Sequence, residues 1–156
     1  MKASTQNLPS LVDPHVCWSH RDIPLSHGHH VPGRVAWTPH AQSVPVESRL
    51  EAQVLGFLLL NPHLVAIHSQ PFTLSYWDGE KHRRYTPDFL VVMDRLTRTI
   101  VRFGFGYWTI VEVKAARRME RERQRIAGPM QAIRELLGFA TVCFTENDLP
   151  TRRALS

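Results

Sequence analysis

At 156 residues the chain is long enough for one compact domain with its own core and too short for two ordinary ones. Nineteen Lys and Arg against fourteen Asp and Glu give a formal charge of +5, a balance suited to a polyanionic partner. The longest apolar run, residues 54–60, is broken by Gly56 and stops at Asn61-Pro62, the first seven residues lack the apolar stretch of a secretory signal, and Cys17 and Cys143 are too isolated to build a disulfide framework; membrane and secreted classes are thereby set aside in favour of a cytoplasmic protein.

Residues 1–45 hold six of the eleven prolines and six of the nine histidines, with no helical or alternating pattern. This predicts an irregular N-terminal arm, with Val16, Trp18, Val31, Val35 and Trp37 as apolar anchors. Pro45 and Glu47 precede the periodic set Leu50, Val54, Phe57 and Leu58, which predicts an amphipathic helix that starts near Pro45 and ends before Asn61-Pro62. Residues 64–67 and 72–76 read as short strands, and Asp78-Gly79 as a turn into a further strand over 83–93, together a meander.

After a loop containing Gly104 and Gly106, residues 108–113 read as a strand whose alternation sets Ile110, Glu112 and Lys114 on one face and Val111 and Val113 on the other. Residues 117–137 turn helical and charged, and Gly128-Pro129 divides them into an arginine-rich and an apolar part, giving one kinked helix or two short ones. A last strand over 140–144 and a polar tail over 147–156 close the chain. The expected fold class is α/β: a mixed β-sheet flanked by helices, its last strand reached by a helical crossover.

Charged residues inside β-branched, core-like runs need a partner or a metal, because burying them alone costs several kcal/mol or more, as a rough figure. Asp88, in Tyr85-Thr86-Pro87-Asp88-Phe89, and Glu112 and Lys114, in Ile110-Val111-Glu112-Val113-Lys114, are such residues. Phosphodiester hydrolysis needs an activated water, neutralised phosphoryl oxygens and support for a departing alkoxide, and Mg²⁺ (or Mn²⁺) on carboxylates meets these needs. Asp88 and Glu112 are candidate metal ligands together with the carbonyl of Val113, and Lys114 is the candidate that orients water or stabilises the phosphorane. A further acid from the first helix is Glu47 or Glu51. Glu51 shares a stripe with Leu55 and Leu58 and is preferred; Ser48-x-x-Glu51 is equally the pattern of a capping box.

The spacing of Pro-Asp from Glu-x-Lys resembles the PD-(D/E)XK nuclease superfamily. Ser48-Arg49-Leu50-Glu51, Asn61-Pro62-His63-Leu64-Val65, Gln70-Pro71-Phe72, Tyr85-Thr86-Pro87-Asp88-Phe89-Leu90 and Val111-Glu112-Val113-Lys114 are similar to the catalytic domain of TnsA-type transposon endonucleases. The resemblance implies a restriction-endonuclease-like core over residues 46–146 with Glu51, Asp88, Glu112 and Lys114 as the active site. It also implies double-stranded DNA as substrate, cut at transposon 5′ ends beside a DDE-type transposase and a regulatory ATPase partner. The family's C-terminal domain, which engages that ATPase and DNA, has no counterpart in these 156 residues.

A standalone restriction, phage or repair nuclease of the same fold and a non-catalytic DNA-binding assembly subunit are the alternatives. Taken singly, Asp88 is also a strand-entry turn residue, and Glu112 with Lys114 a surface pair on an edge strand. Arg117, Arg118, Arg121, Arg123 and Arg125 read either as a solvated helical face paired with Glu120 and Glu122 or as phosphate contacts next to Lys114, with Arg117, Arg118 and Arg121 picked as the DNA-contacting candidates. Cys17, His20, His27, His29 and His30 match no common zinc spacing, and Trp37, Trp77 and Trp108 read as core or rim packing.

Overall fold

The structure is a computed structural model and describes residues 12–18, 33–37 and 42–150. It is mixed α/β. A four-stranded sheet is built from β4 (Leu64–Ser69), β7 (Phe89–Met93), β8 (Trp108–Val113) and β9 (Ala140–Phe144), in that order. A three-stranded sheet joins β1 (Val12–Trp18), β5 (Phe72–Trp77) and β6 (His82–Tyr85), and β2 (Gly33–Trp37) pairs with β3 (Gln42–Val46) in a ribbon. The helices are α1 (Arg49–Leu58), α2 (Arg98–Arg102) and α3 (Ala116–Leu137), and a 3₁₀ turn follows at Glu146–Asp148. Among the described residues no helix is long and apolar enough to cross a membrane.

Alternation along β7 and β8 divides the interior in two. Phe89, Val91, Val111 and Val113 face one apolar cluster, shared with Val54, Leu55 and Leu58 of α1 and with Phe144. Leu90 and Ile110 face the other, shared with Phe72 and Leu74 of β5 and with Met119, Ile126, Met130 and Ile133 of α3. Each fully buried Leu, Ile or Phe contributes roughly 1.5–3 kcal/mol, so the two clusters together fix the central strands between α1 and α3. Lys114 follows β8 directly, its N–H bonded to the Phe144 carbonyl at 3.0 Å, and so keeps the Glu112 side of the sheet. β8 runs antiparallel to β7 and parallel to β9, and α3 is the crossover, as the sequence predicts.

Several elements differ from expectation. The predicted arm contains three strands: β1 pairs antiparallel with β5, and Val44 and Val46 of β3 are buried in the α1 cluster. The boundary at residue 45 therefore does not separate an irregular arm from the body. Pro14 falls where the β1 register slips between Val12 and His15, a bulge that relieves the ladder of its missing N–H. Pro45 pairs with Arg34 in the ribbon, and α1 begins later, at Arg49, because Ser48 is the residue that caps it.

The strand expected over 83–93 is two strands, since Pro87 cannot donate to a ladder; β6 pairs with β5, while β7 crosses to β4, so the chain is no simple meander. The loop before β8 contains the short α2, capped by Thr97. α3 runs unbroken through Gly128-Pro129 and ends at Gly138, whose φ of 68° is the left-handed conformation that glycine adopts without strain. The predicted tail opens with the 3₁₀ turn, and Leu149 packs on the α1 cluster; residues 151–156, His20, His27, His29 and His30 lie outside the described residues.

Candidate active site

Asp88 stands in the linker between β6 and β7, where Pro87 has ended one ladder. Its Oδ2 accepts the N–H of Val113 at 2.7 Å, which ties the linker to β8. Glu112 lies on β8, a central strand, with only 3% of its surface exposed; the edge-strand reading is excluded. Both its oxygens are engaged: Oε1 with the Lys114 ammonium at 2.7 Å and Oε2 with the Tyr85 hydroxyl, which donates at 2.6 Å. Lys114 also lies 3.6 Å from Glu122 of α3, and Arg118 donates to Glu122 at 2.9 Å.

Glu51 comes to the site from the opposite side of the sheet, at the start of α1. It is buried, and the capping box is only half formed: Ser48 takes the Glu51 N–H, but the Glu51 carboxylate takes the N–H of Glu47 rather than that of Ser48. Ser48 caps the helix by accepting the Glu51 N–H at 3.1 Å and donates its hydroxyl to Oε1 at 3.1 Å, and the Glu47 N–H reaches Oε2 at 2.8 Å. At the same time the Glu51 charge is felt by Asp88, and Glu51 in turn feels the charge of Glu112. Glu47 instead accepts from the side chain of Gln70 at 2.7 Å. Gln70 has a φ of 45°, an unfavourable conformation for a residue with a side chain, and its N–H holds the Asp88 carbonyl at 2.8 Å. Such local strain persists where surrounding bonds over-determine the backbone.

The electrostatics are those of crowded carboxylates. Burial pushes the Asp88 carboxyl well above the usual carboxylate range, and the charges of Glu112 and Glu51 add to it, opposed by the Val113 N–H and Lys114. Burial likewise raises Glu51, against the hydrogen bonds from Glu47 and Ser48. For Lys114, burial works downward, but its hydrogen bond to Glu112 and the charges of Glu112, Asp88 and Glu122 leave it above its ordinary value, a firm ammonium. Burial, with the Glu112 charge, raises Tyr85 well above the ordinary phenol, so its hydroxyl keeps its proton and remains a donor.

Glu112, Lys114 and Tyr85 border a cleft of about 610 Å³ between the β5–β6 hairpin and α3. Arg83, Arg84, Arg118 and Arg125 line its walls, Arg83 being held by Asp78 of the hairpin turn. The structure thus brings Glu51, Asp88, Glu112 and Lys114 into one charged neighbourhood. Of the three arginines picked from sequence, only Arg118 borders the cleft; Arg117 and Arg121 are exposed and do not line it. Trp77 and Trp108 are partly exposed rim residues, Trp108 stacked on Phe139 with ring centroids 5.5 Å apart.

Sequence reasoning missed Tyr85 and Arg84 as residues of the cleft, whereas the pairing of Arg118 with Glu122 is as expected. The one signal for Tyr85 is its place three residues before Asp88; Arg84 depends on how α3 folds back over the hairpin. No protein-family profile and no curated protein matches the chain.

Proposed function

We propose that this chain is a divalent-metal-dependent DNA endonuclease of the TnsA-like PD-(D/E)XK type on a restriction-endonuclease-like core, cutting transposon 5′ ends in concert with a DDE-type transposase. The observation that carries the reading is that Glu51, Asp88 and Glu112, from α1, the 86–88 linker and β8, stand within reach of one another's charge, and that Glu112 and Lys114 border an arginine-walled cleft. A central strand followed by a helical crossover to a parallel neighbour is compatible with that core.

The donor set suits Mg²⁺ or Mn²⁺, which take hard carboxylate oxygens. Three mutually repelling carboxylates, one driven to hold its proton, gain from a dication. Among the described residues no three His, Cys, Asp or Glu side chains stand as a ready ligand cluster; each oxygen of Glu112 and Glu51 accepts a hydrogen bond from the protein. Asp88 and Glu112, with the Val113 carbonyl and Glu51, would hold the ion. When bound, it supplies positive charge and makes a nearby water more acidic.

The chain's own groups do the rest. Lys114, held as an ammonium, orients the attacking water and stabilises charge on the phosphoryl oxygens. The Val113 N–H keeps Asp88 aimed, and Arg84, Arg118 and Arg125 hold the flanking phosphates. The products on this reading are a 5′-phosphate and a 3′-hydroxyl.

Incubation with supercoiled plasmid and Mg²⁺ or Mn²⁺ tests it. Nicked or linear product is expected, efficient only when a transposase is present, and Asp88→Ala or Lys114→Ala each lowers the rate by about 100-fold or more. Intact plasmid under every condition, with a transposase added, would leave a non-catalytic DNA-binding assembly subunit. Efficient cutting with no transposase present favours a standalone nuclease of the same fold.

A further inference from the structure

A single four-residue stretch, Tyr85-Thr86-Pro87-Asp88, grips two consecutive residues of β8. Asp88 takes the Val113 N–H, and Tyr85 gives its hydroxyl to Glu112 at 2.6 Å. Tyr85 ends β6 in the three-stranded sheet, whereas Glu112 belongs to the four-stranded one, so this bond ties the two sheets together at the cleft. The Tyr85 ring packs against the α3 cluster, and the stretch is held again by Thr73 and Thr86, their hydroxyls 2.8 Å apart. Among the described residues the other hydrogen-bonding neighbour of the phenol oxygen is the Met130 sulfur at 4.0 Å, a weak acceptor. Packing therefore fixes the ring, and the hydroxyl has one strong partner.

A carboxylate held at both oxygens has no free rotation. Lys114 holds Oε1 of Glu112, but that ammonium also faces Glu122 at 3.6 Å. Without the phenol, Glu112 is tethered only through a flexible lysine that a second carboxylate attracts.

We propose that Tyr85 is a positioning residue of the site, whose hydroxyl sets the rotation of the Glu112 carboxylate and so keeps Lys114 on Glu112 rather than Glu122. The proposal rests on the nuclease reading above. Partners that orient a metal-ligating side chain are worth about 10- to 100-fold in metal affinity or activity when removed, and that sets the expected size.

The test is Tyr85→Phe in the full chain, which keeps the ring. Expected are a kcat on plasmid about 10- to 100-fold lower with KM and melting temperature nearly unchanged, and Mn²⁺ binding without DNA, by titration calorimetry, weaker by about 10-fold. In a Glu112→Gln background the same change should add almost nothing, since the group being oriented has already been altered. A Tyr85→Phe chain with wild-type kcat and wild-type Mn²⁺ affinity overturns the role while leaving the nuclease reading intact. A loss that follows a lowered melting temperature and persists in the Glu112→Gln background makes Tyr85 merely structural and overturns it as well. A wild-type chain that neither cuts DNA nor binds Mn²⁺ removes both readings.

Discussion

Asp88 lies near the charges of Glu112 and Glu51, with the Val113 N–H and Lys114 opposing them, and burial is the largest cause of its raised proton affinity. In the unfolded chain its carboxyl ionises near the ordinary value of about 3.9. Between that pH and its higher folded value the folded state binds more protons than the unfolded one, so stability falls as pH rises through this window and stays lowered above it. Asp88→Asn is uncharged at every pH, and its amide oxygen still accepts the Val113 N–H. The variant is expected to melt higher than wild type near about pH 8, with the difference shrinking toward about pH 4. Thermal melts in EDTA across that range decide it: a variant that melts at or below wild type at the alkaline end means the site carries no such cost.

The start of α1 shows how an element can serve both fold and site. Ser48→Ala removes the cap on the Glu51 N–H and the hydroxyl that steadies the Glu51 carboxylate. It should cost about 1 kcal/mol in urea unfolding, and Ser48→Thr should restore most of it. An alanine variant as stable as wild type would mean that packing of Val54, Leu55 and Leu58 alone sets the helix.

The apolar period of α1 was readable along the chain because it is local, but its first residue was not. Pro45 is a helix-start signal by local rules, and pairing with β2 makes it a strand residue instead. β1 was hidden for the same reason: its partner β5 lies some sixty residues on, and Pro14 reads as irregular until the bulge is seen. Glu112 stood out because a charge in an apolar strand is anomalous in any single window, and Asp88 and Lys114 because they border such strands. Tyr85 and Glu122 are ordinary residues in their own windows and gain meaning only where a second sheet and a distant helix close over Glu112.

Across the whole molecule the formal +5 charge is not spread evenly around the candidate site. Arg84 from the hairpin and Arg118 and Arg125 from α3 line the cleft that holds Lys114, while Arg117 and Arg121 of the same helix do not line it. Arg118 is paired with Glu122, and Arg83 with Asp78, whereas among the described residues Arg84 and Arg125 form no ion pair within 4.0 Å and are the more available to phosphates. Each phosphate contact releases counterions and steepens the dependence of binding on salt. Arg84→Ala and Arg125→Ala should therefore each weaken binding of a labelled duplex in EDTA, uniformly across sequences, and reduce the salt slope by about 1. Arg117→Ala and Arg121→Ala should change the slope much less. Fluorescence anisotropy over a salt series measures both quantities without any chemistry taking place. If the Arg84/Arg125 double variant kept the wild-type slope while Arg117→Ala lost it, the DNA would follow the outer face of α3, and Lys114 would stand away from the path of the phosphates.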